Sequence, residues 1–309
     1  MKVDDQRIAA GDGFSLEASV FEPERAGSGF RVALINSATA VKRSYYRRYA
    51  AFLAEEGMAA VTFDYRGVGG SRPGGGTRVA ASMREWAEKD AAGVLAWTLR
   101  RWPGAPVVLV GHSFGGQALG LMPGADRLSR ALFVAAQSGY WRHWPGWWRW
   151  RTWIFWHFLL PGLSHTVGYF PGRLAGLGED LPKGVALDWA RWGRRPDYIL
   201  EGDAARRESY ARLRLPIRAY SFPDDDFAPA TAVDALLSFY RGAAVEHRHV
   251  TPRELGVEAI GHWGFFRESF RATLWQESLD WLRGTEAPAV SRAPSGPVEP
   301  GRDSRPART

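Results

Sequence analysis

Val107-Val108-Leu109-Val110-Gly111-His112-Ser113-Phe114-Gly115-Gly116, running on into Gln117 to Leu121, is the stretch on which the fold turns. Four consecutive apolar residues predict a strand buried on both faces, and Gln117 to Leu121 reads as helical. The Gly-x-Ser-x-Gly between them matches a tight strand-to-helix turn that strains the serine backbone and lifts its hydroxyl clear of the sheet. Glycines are needed there because the backbones on either side come too close for a Cβ. Ser113 is therefore a candidate nucleophile.

Working outward, the same kind of strand recurs. Arg31 to Ile35, Ala59 to Phe63 and Ala131 to Ala135 are solid apolar runs that suit interior strands of a parallel sheet covered on both sides. Ile8 to Ala10, Gly11-Asp12-Gly13 and Phe14 to Phe21 predict an opening hairpin with an Asp-Gly turn. Between the strands, Tyr45 to Glu56 and Ser82 to Arg101 carry apolar residues at spacings of three and four, the pattern of amphipathic helices. Pro216 to Phe222, a helix near Ala230 to Tyr240, a strand near Val245 to Val250 and a helix from Glu268 to Arg283 complete the alternation. The expectation is an α/β fold with a mostly parallel, doubly covered sheet.

From Gly139 to about Leu213 the rhythm breaks. Tyr140 to Trp156 holds seven of the fifteen tryptophans, and some fifty residues follow without a strand pattern. We read 1–138 and 214–284 as two parts of one core, 139–213 as an inserted Trp-rich helical cap, and 285–309 as a tail too poor in aromatic residues to order itself.

The 309 residues are 45% apolar and 24% charged, the profile of a globular protein. With no cysteine, disulfides, Cys-ligated metals and a thiolate nucleophile are excluded. The charge of +7 comes largely from arginines spread along the chain, without the patch that nucleic-acid binding requires. The opening Met1 to Arg7 lacks the apolar stretch of a secretory signal, and no run reaches the roughly 18 apolar residues of a membrane span, so a cytoplasmic protein is expected. No Gly-x-Gly-x-x-Gly fingerprint, Walker loop or His-Glu-x-x-His motif is present, and no metal or other cofactor is expected.

A serine hydroxyl becomes nucleophilic only when a base takes its proton, and the base needs an acceptor to fix its tautomer. Of seven histidines, His112 adjoins the serine with its ring pointing away, His143, His157 and His165 lie in the cap, and His247 and His249 alternate on one strand face. His262, in the glycine-flanked Ile260 to Phe266 before the last helix, is the expected base. The acid is expected after the strand ending at Phe222, where Asp224, Asp225 and Asp226 stand together. Asp225, four residues before Pro229, is favoured. Oxyanion donors would be the backbone N–H of Phe114 and one from the Asn36-Ser37-Ala38-Thr39 loop, with Ala38 chosen and Thr39 the fallback.

On these residues the chain resembles the α/β-hydrolases of the serine esterase, lipase and serine aminopeptidase type, from about Ile8 to Arg283. Asp64-Tyr65-Arg66-Gly67-Val68-Gly69-Gly70-Ser71 matches the Asp-x-x-Gly-x-Gly-x-Ser turn of that group. Within it, Tyr65-Arg66-Gly67, Gly139-Tyr140-Trp141-Arg142, Gly178 to Pro182 and Gly261 to Phe266 resemble a bacterial branch with no agreed substrate. Asn36-Ser37 departs from the His-Gly that often opens the oxyanion loop. The resemblance implies an α/β-hydrolase fold, and a serine at the elbow excludes the alkyl-ester chemistry of its dehalogenases and epoxide hydrolases. A small-molecule acyl substrate, most simply a carboxylic ester, is expected. An amidase or aminopeptidase, an acyltransferase and a non-catalytic binding protein are the alternatives.

The tryptophans read first as the small core of the cap itself. Trp141, Trp144 and Trp263 are the candidates for lining a substrate site. Arg142, Arg149 and Arg151, interleaved with tryptophans and no acidic residue, also suit weak contact with a membrane surface. Glu179 and Asp180 are expected to pair with cap arginines rather than to bind a cationic substrate.

Overall fold

The computed structural model describes residues 1–25, 27, 29–76 and 78–284, so the expected tail at 285–309 lies outside the described residues. The strands in chain order are β1 (Lys2–Ala9), β2 (Ser15–Glu22), β3 (Val32–Asn36), β4 (Ala59–Phe63), β5 (Val107–His112), β6 (Leu128–Val134), β7 (Tyr169–Phe170), β8 (Leu181–Pro182), β9 (Ile217–Ser221) and β10 (Val245–His249). Eight form one sheet in the order β1-β2-β4-β3-β5-β6-β9-β10, and β7 with β8 makes a separate short ribbon. β1 pairs antiparallel with β2, and β2 with β4; every other pairing in the large sheet is parallel.

Burial explains which strands the sequence announces. Every residue of β3, β4 and β5 is buried, so helices must cover both faces. β1 is longer than the hairpin expected from Ile8 onward. It is an edge strand in which only Ile8 is fully buried, and Lys2, Asp4, Asp5 and Arg7 mask its register.

The flanking helices bury the residues at helical spacing. Tyr46 lies in a 3₁₀ turn leading into the helix Arg47–Glu55, which buries Tyr49, Ala50 and Leu53. Ser82 caps the next helical run by accepting the Glu85 N–H at 3.1 Å. That run, Met83–Glu85, Trp86–Ala91 and Ala92–Arg101, buries Met83, Trp86, Val94 and Leu95.

Between β6 and β9, neighbours in the sheet, residues 139–213 contribute no strand to it. They form the helical pieces Gly146–Ile154, Phe155–Leu159, Leu160–Val167, Lys183–Gly193 and Ala204–Ala211. Among the described residues no helix is long and apolar enough to cross a membrane.

Candidate active site

The turn after β5 places Ser113 at φ +50° and ψ −115°, a backbone conformation that a side chain rarely adopts. Hydrogen bonds hold it there. The Ser113 N–H donates to the Val134 carbonyl at 2.9 Å, and the Ser113 carbonyl accepts the N–H groups of Gly116 and Gln117 at 3.0 and 3.2 Å. A Cβ on Gly111 would sit 2.5 Å from the Gly116 nitrogen, and one on Gly115 would sit 2.1 Å from the Asn36 carbonyl oxygen. The close approach of strand, turn and helix therefore requires glycine at both positions.

The loops after β9 and β10 bring Asp225 and His262 together. His262 Nδ1 lies 2.8 Å from Asp225 Oδ2 and 3.1 Å from Oδ1, and both side chains are buried. Asp225 Oδ1 also accepts the N–H groups of Phe227 and Ala228 at 2.8 and 2.9 Å, which fixes the carboxylate. With Nδ1–H donating to Asp225, Nε2 is left with its lone pair. Its neighbours have other tasks: Asp224 Oδ2 accepts the N–H groups of Ile260 and Gly261 at 2.7 and 3.0 Å, and the Asp226 carbonyl accepts Trp144 Nε1–H at 2.8 Å. Ser113 and His262 line one narrow cavity of about 30 Å³. In this conformation the Ser113 hydroxyl has no hydrogen-bond partner among the described residues. Such pairs commonly tighten only when substrate is bound.

His112, the other histidine at the elbow, is buried and holds two loops. Its Nε2 donates to the His262 carbonyl at 2.9 Å, so Nδ1 is an acceptor and receives the Tyr46 hydroxyl at 2.9 Å. Tyr46 Oη in turn accepts the Ala38 N–H at 2.8 Å. Burial first, and then the nearby His262, push the His112 imidazole well below its ordinary range, so it stays neutral.

That chain corrects one expectation. Ala38, chosen as an oxyanion donor, has its N–H committed to Tyr46. The N–H of Thr39, which also lines the Ser113 cavity, meets no acceptor among the described residues. The N–H of Phe114 opens a helix and has no intrahelical acceptor.

Two larger cavities adjoin. One of about 480 Å³ is walled by Trp144, Trp148, Phe155, Trp156 and Leu159, and shares Gln137, Leu177, Trp189 and Phe227 with the Ser113 cavity. The other, about 400 Å³, is bordered by Lys42, Tyr45, Glu179 and Trp263. Trp144 borders the first of these and Trp263 the second. Trp141 lines neither; its ring packs edge-on against Tyr140 and His157. Sequence reasoning missed Trp148, Phe155, Trp156 and Trp189, whose inward register depends on how the cap helices are rotated. Glu179 pairs with Lys42, Arg72 and Arg173 at 3.1, 3.2 and 2.8 Å, and Asp180 accepts the Arg173 N–H at 3.1 Å. His247 and His249 converge instead on the Ser221 hydroxyl, each at 2.7 Å.

Among solved structures, a soluble variant of monoglyceride lipase from Saccharomyces cerevisiae in complex with a substrate analog is similar in fold. The TM-score is 0.69 at 15% identity, covering 93% of this chain and 96% of that one. The esterase domain of a Rhodothermus marinus protein gives 0.58 at 18% identity over 92% and 99%. An esterase from Exiguobacterium antarcticum gives 0.59 at 15% over 91% and 100%. No curated protein matches the sequence. Residues 29–283 match the model of the alpha/beta hydrolase family. With that match spanning most of the chain, and with the strand order and elbow described above, the chain belongs to the alpha/beta hydrolase family.

Proposed function

We propose that this protein hydrolyses carboxylic esters with an apolar acyl group, through an acyl-enzyme on Ser113. The observation that carries this reading is the buried 2.8 Å pair of His262 and Asp225 on loops that share one cavity with a serine held at positive φ. Asp225 fixes the tautomer that leaves Nε2 free to take the Ser113 proton. Ser113 Oγ then bonds to the acyl carbon, and the oxyanion is met by the N–H groups of Phe114 and Thr39. Collapse breaks the ester C–O bond, and the alcohol leaves with the proton from His262. Water, deprotonated by the same imidazole, adds to the acyl carbon; collapse breaks the bond from that carbon to Ser113 Oγ, His262 returns the proton to Oγ, and the acid leaves.

The tryptophan-walled cavity of about 480 Å³ lies within the size range of small-molecule sites and supports an apolar substituent. An aminopeptidase needs an unpaired carboxylate for a free α-amino group. Glu179 beside the site is already met by three cations, which disfavours that alternative.

Turnover of p-nitrophenyl butyrate and labelling by a fluorophosphonate probe test the reading. Ser113→Ala is expected to lower kcat by about 10³-fold or more and to abolish labelling. Wild-type-like turnover by that variant would overturn it.

A further inference from the structure

The cap exposes an apolar stripe, although the Trp150 and Phe158 rings both meet Trp153 along their edges. Helix Gly146–Ile154 has no buried residue although four of its nine residues are tryptophan. Trp147 is 69% exposed, Trp150 55%, Ile154 48% and Phe158 60%, and their spacings of three, four and four keep them on one side of the helical run. Trp156, Leu160 and Ser164, again four apart, face the protein. The stripe is therefore the outward face of a helix anchored on its opposite side.

Charge says what that face fits. From Tyr140 to Gly178 there is no Asp or Glu, against Arg142, Arg149, Arg151 and Arg173. The first three are exposed, and none has a carboxylate partner among the described residues. Arg142 and Arg151 lie 5.0 and 4.4 Å over the rings of Trp141 and Trp148, an amphipathic arrangement suited to the headgroup level of a bilayer. Ile154 of the stripe and the neighbouring Leu159 are both exposed, and both also border the 480 Å³ cavity.

We propose that the stripe Trp147, Trp150, Ile154 and Phe158 docks the protein on an anionic lipid surface, with the cap arginines at the headgroups and the cavity border at Ile154 and Leu159 turned toward the lipid. An aqueous protein surface rarely leaves such a run uncovered, and the absence of acidic residues favours an anionic bilayer over a neutral one. Docking is independent of the chemistry at Ser113, so its failure and that of the hydrolase reading are distinguishable.

Flotation of the full chain with vesicles of phosphatidylglycerol and phosphatidylcholine (1:1), with pure phosphatidylcholine vesicles alongside, tests it. Binding to the mixed vesicles is expected, weakened in high salt. Trp147→Ser/Trp150→Ser/Phe158→Ser is expected to reduce it by about tenfold or more, leaving p-nitrophenyl butyrate turnover in vesicle-free buffer unchanged. Arg142→Gln/Arg149→Gln, milder for folding, should lose the preference for anionic vesicles. Absence of wild-type binding, or undiminished binding by the triple variant, would overturn the proposal. So would a dimer in buffer that the triple variant dissociates, since a second copy would then cover the stripe.

Discussion

His112 Nε2 donates to the backbone carbonyl of His262 at 2.9 Å, tying the residue before Ser113 to the histidine that lines the same cavity. Because the carbonyl can only accept, every hydrogen bond behind it has a fixed direction: Tyr46 O–H to His112 Nδ1, and Ala38 N–H to Tyr46 Oη. Three loops are thereby held by one buried chain. Tyr46→Phe strands both the Ala38 N–H and His112 Nδ1, and is expected to destabilise the fold by roughly 1–3 kcal/mol in urea denaturation. An unchanged midpoint would mean that the chain carries no stability.

The neutral state of His112 gives a pH dependence. Burial depresses its pKa in the fold, whereas the unfolded chain takes up the proton near 6.5. Stability is therefore fully present above that value and is lost as pH falls below it, at up to about 1.4 kcal/mol per pH unit. Denaturation at pH 7.5 and pH 5.5 should show a smaller difference for His112→Gln than for the wild type. An equal difference in both would remove His112 from the account.

Three consecutive aspartates should separate by role. Asp225→Asn disturbs the tautomer of His262, and a fall in kcat of about 10³- to 10⁴-fold with little change in KM is expected. Asp224→Ala frees the N–H groups of Ile260 and Gly261 and loosens the histidine loop, with an expected loss of about tenfold in kcat. Asp226→Ala leaves intact the backbone carbonyl that holds Trp144, and should resemble the wild type in steady-state kinetics. Equal losses in all three would contradict this division.

The oxyanion donors can be separated by replacing single backbone amides with esters. At Thr39 this removes an N–H available to the developing oxyanion, and kcat is expected to drop by about 10²-fold. At Ala38 it removes the bond to Tyr46, so stability should fall with kcat largely kept. The reverse pattern in a chain assembled by ligation would return the role to Ala38.

How far the sequence could be read follows from what each feature depends on. β3, β4 and β5 are apolar on both faces, so composition alone reveals them, whereas β1 pairs at an edge and its charges conceal it. The elbow is legible because backbone crowding dictates residue type at Gly111 and Gly115. The oxyanion loop is not. Any residue supplies an N–H, and which one is free depends on where the Tyr46 hydroxyl lies. In the cap, tryptophan density is visible but rotation is not: Trp141 packs against Tyr140 and His157, while Trp148 walls the larger cavity.

Leu177 borders all three cavities and stands where the narrow one at Ser113 meets the tryptophan-walled one. Its side chain therefore limits how an apolar group passes from the serine toward Trp148 and Phe155. Leu177→Trp adds bulk at that junction without touching His262, Asp225 or the backbone donors. With p-nitrophenyl acetate, whose acyl group need not cross the junction, kcat/KM should stay within about threefold of the wild type. With the decanoate it should fall by about 10- to 100-fold, because one misplaced apolar contact of this size costs roughly 1–3 kcal/mol in the transition state. A chain-length series from acetate to decanoate measures the break point. A uniform loss across the series would instead mean that the acyl group does not enter the tryptophan-walled cavity.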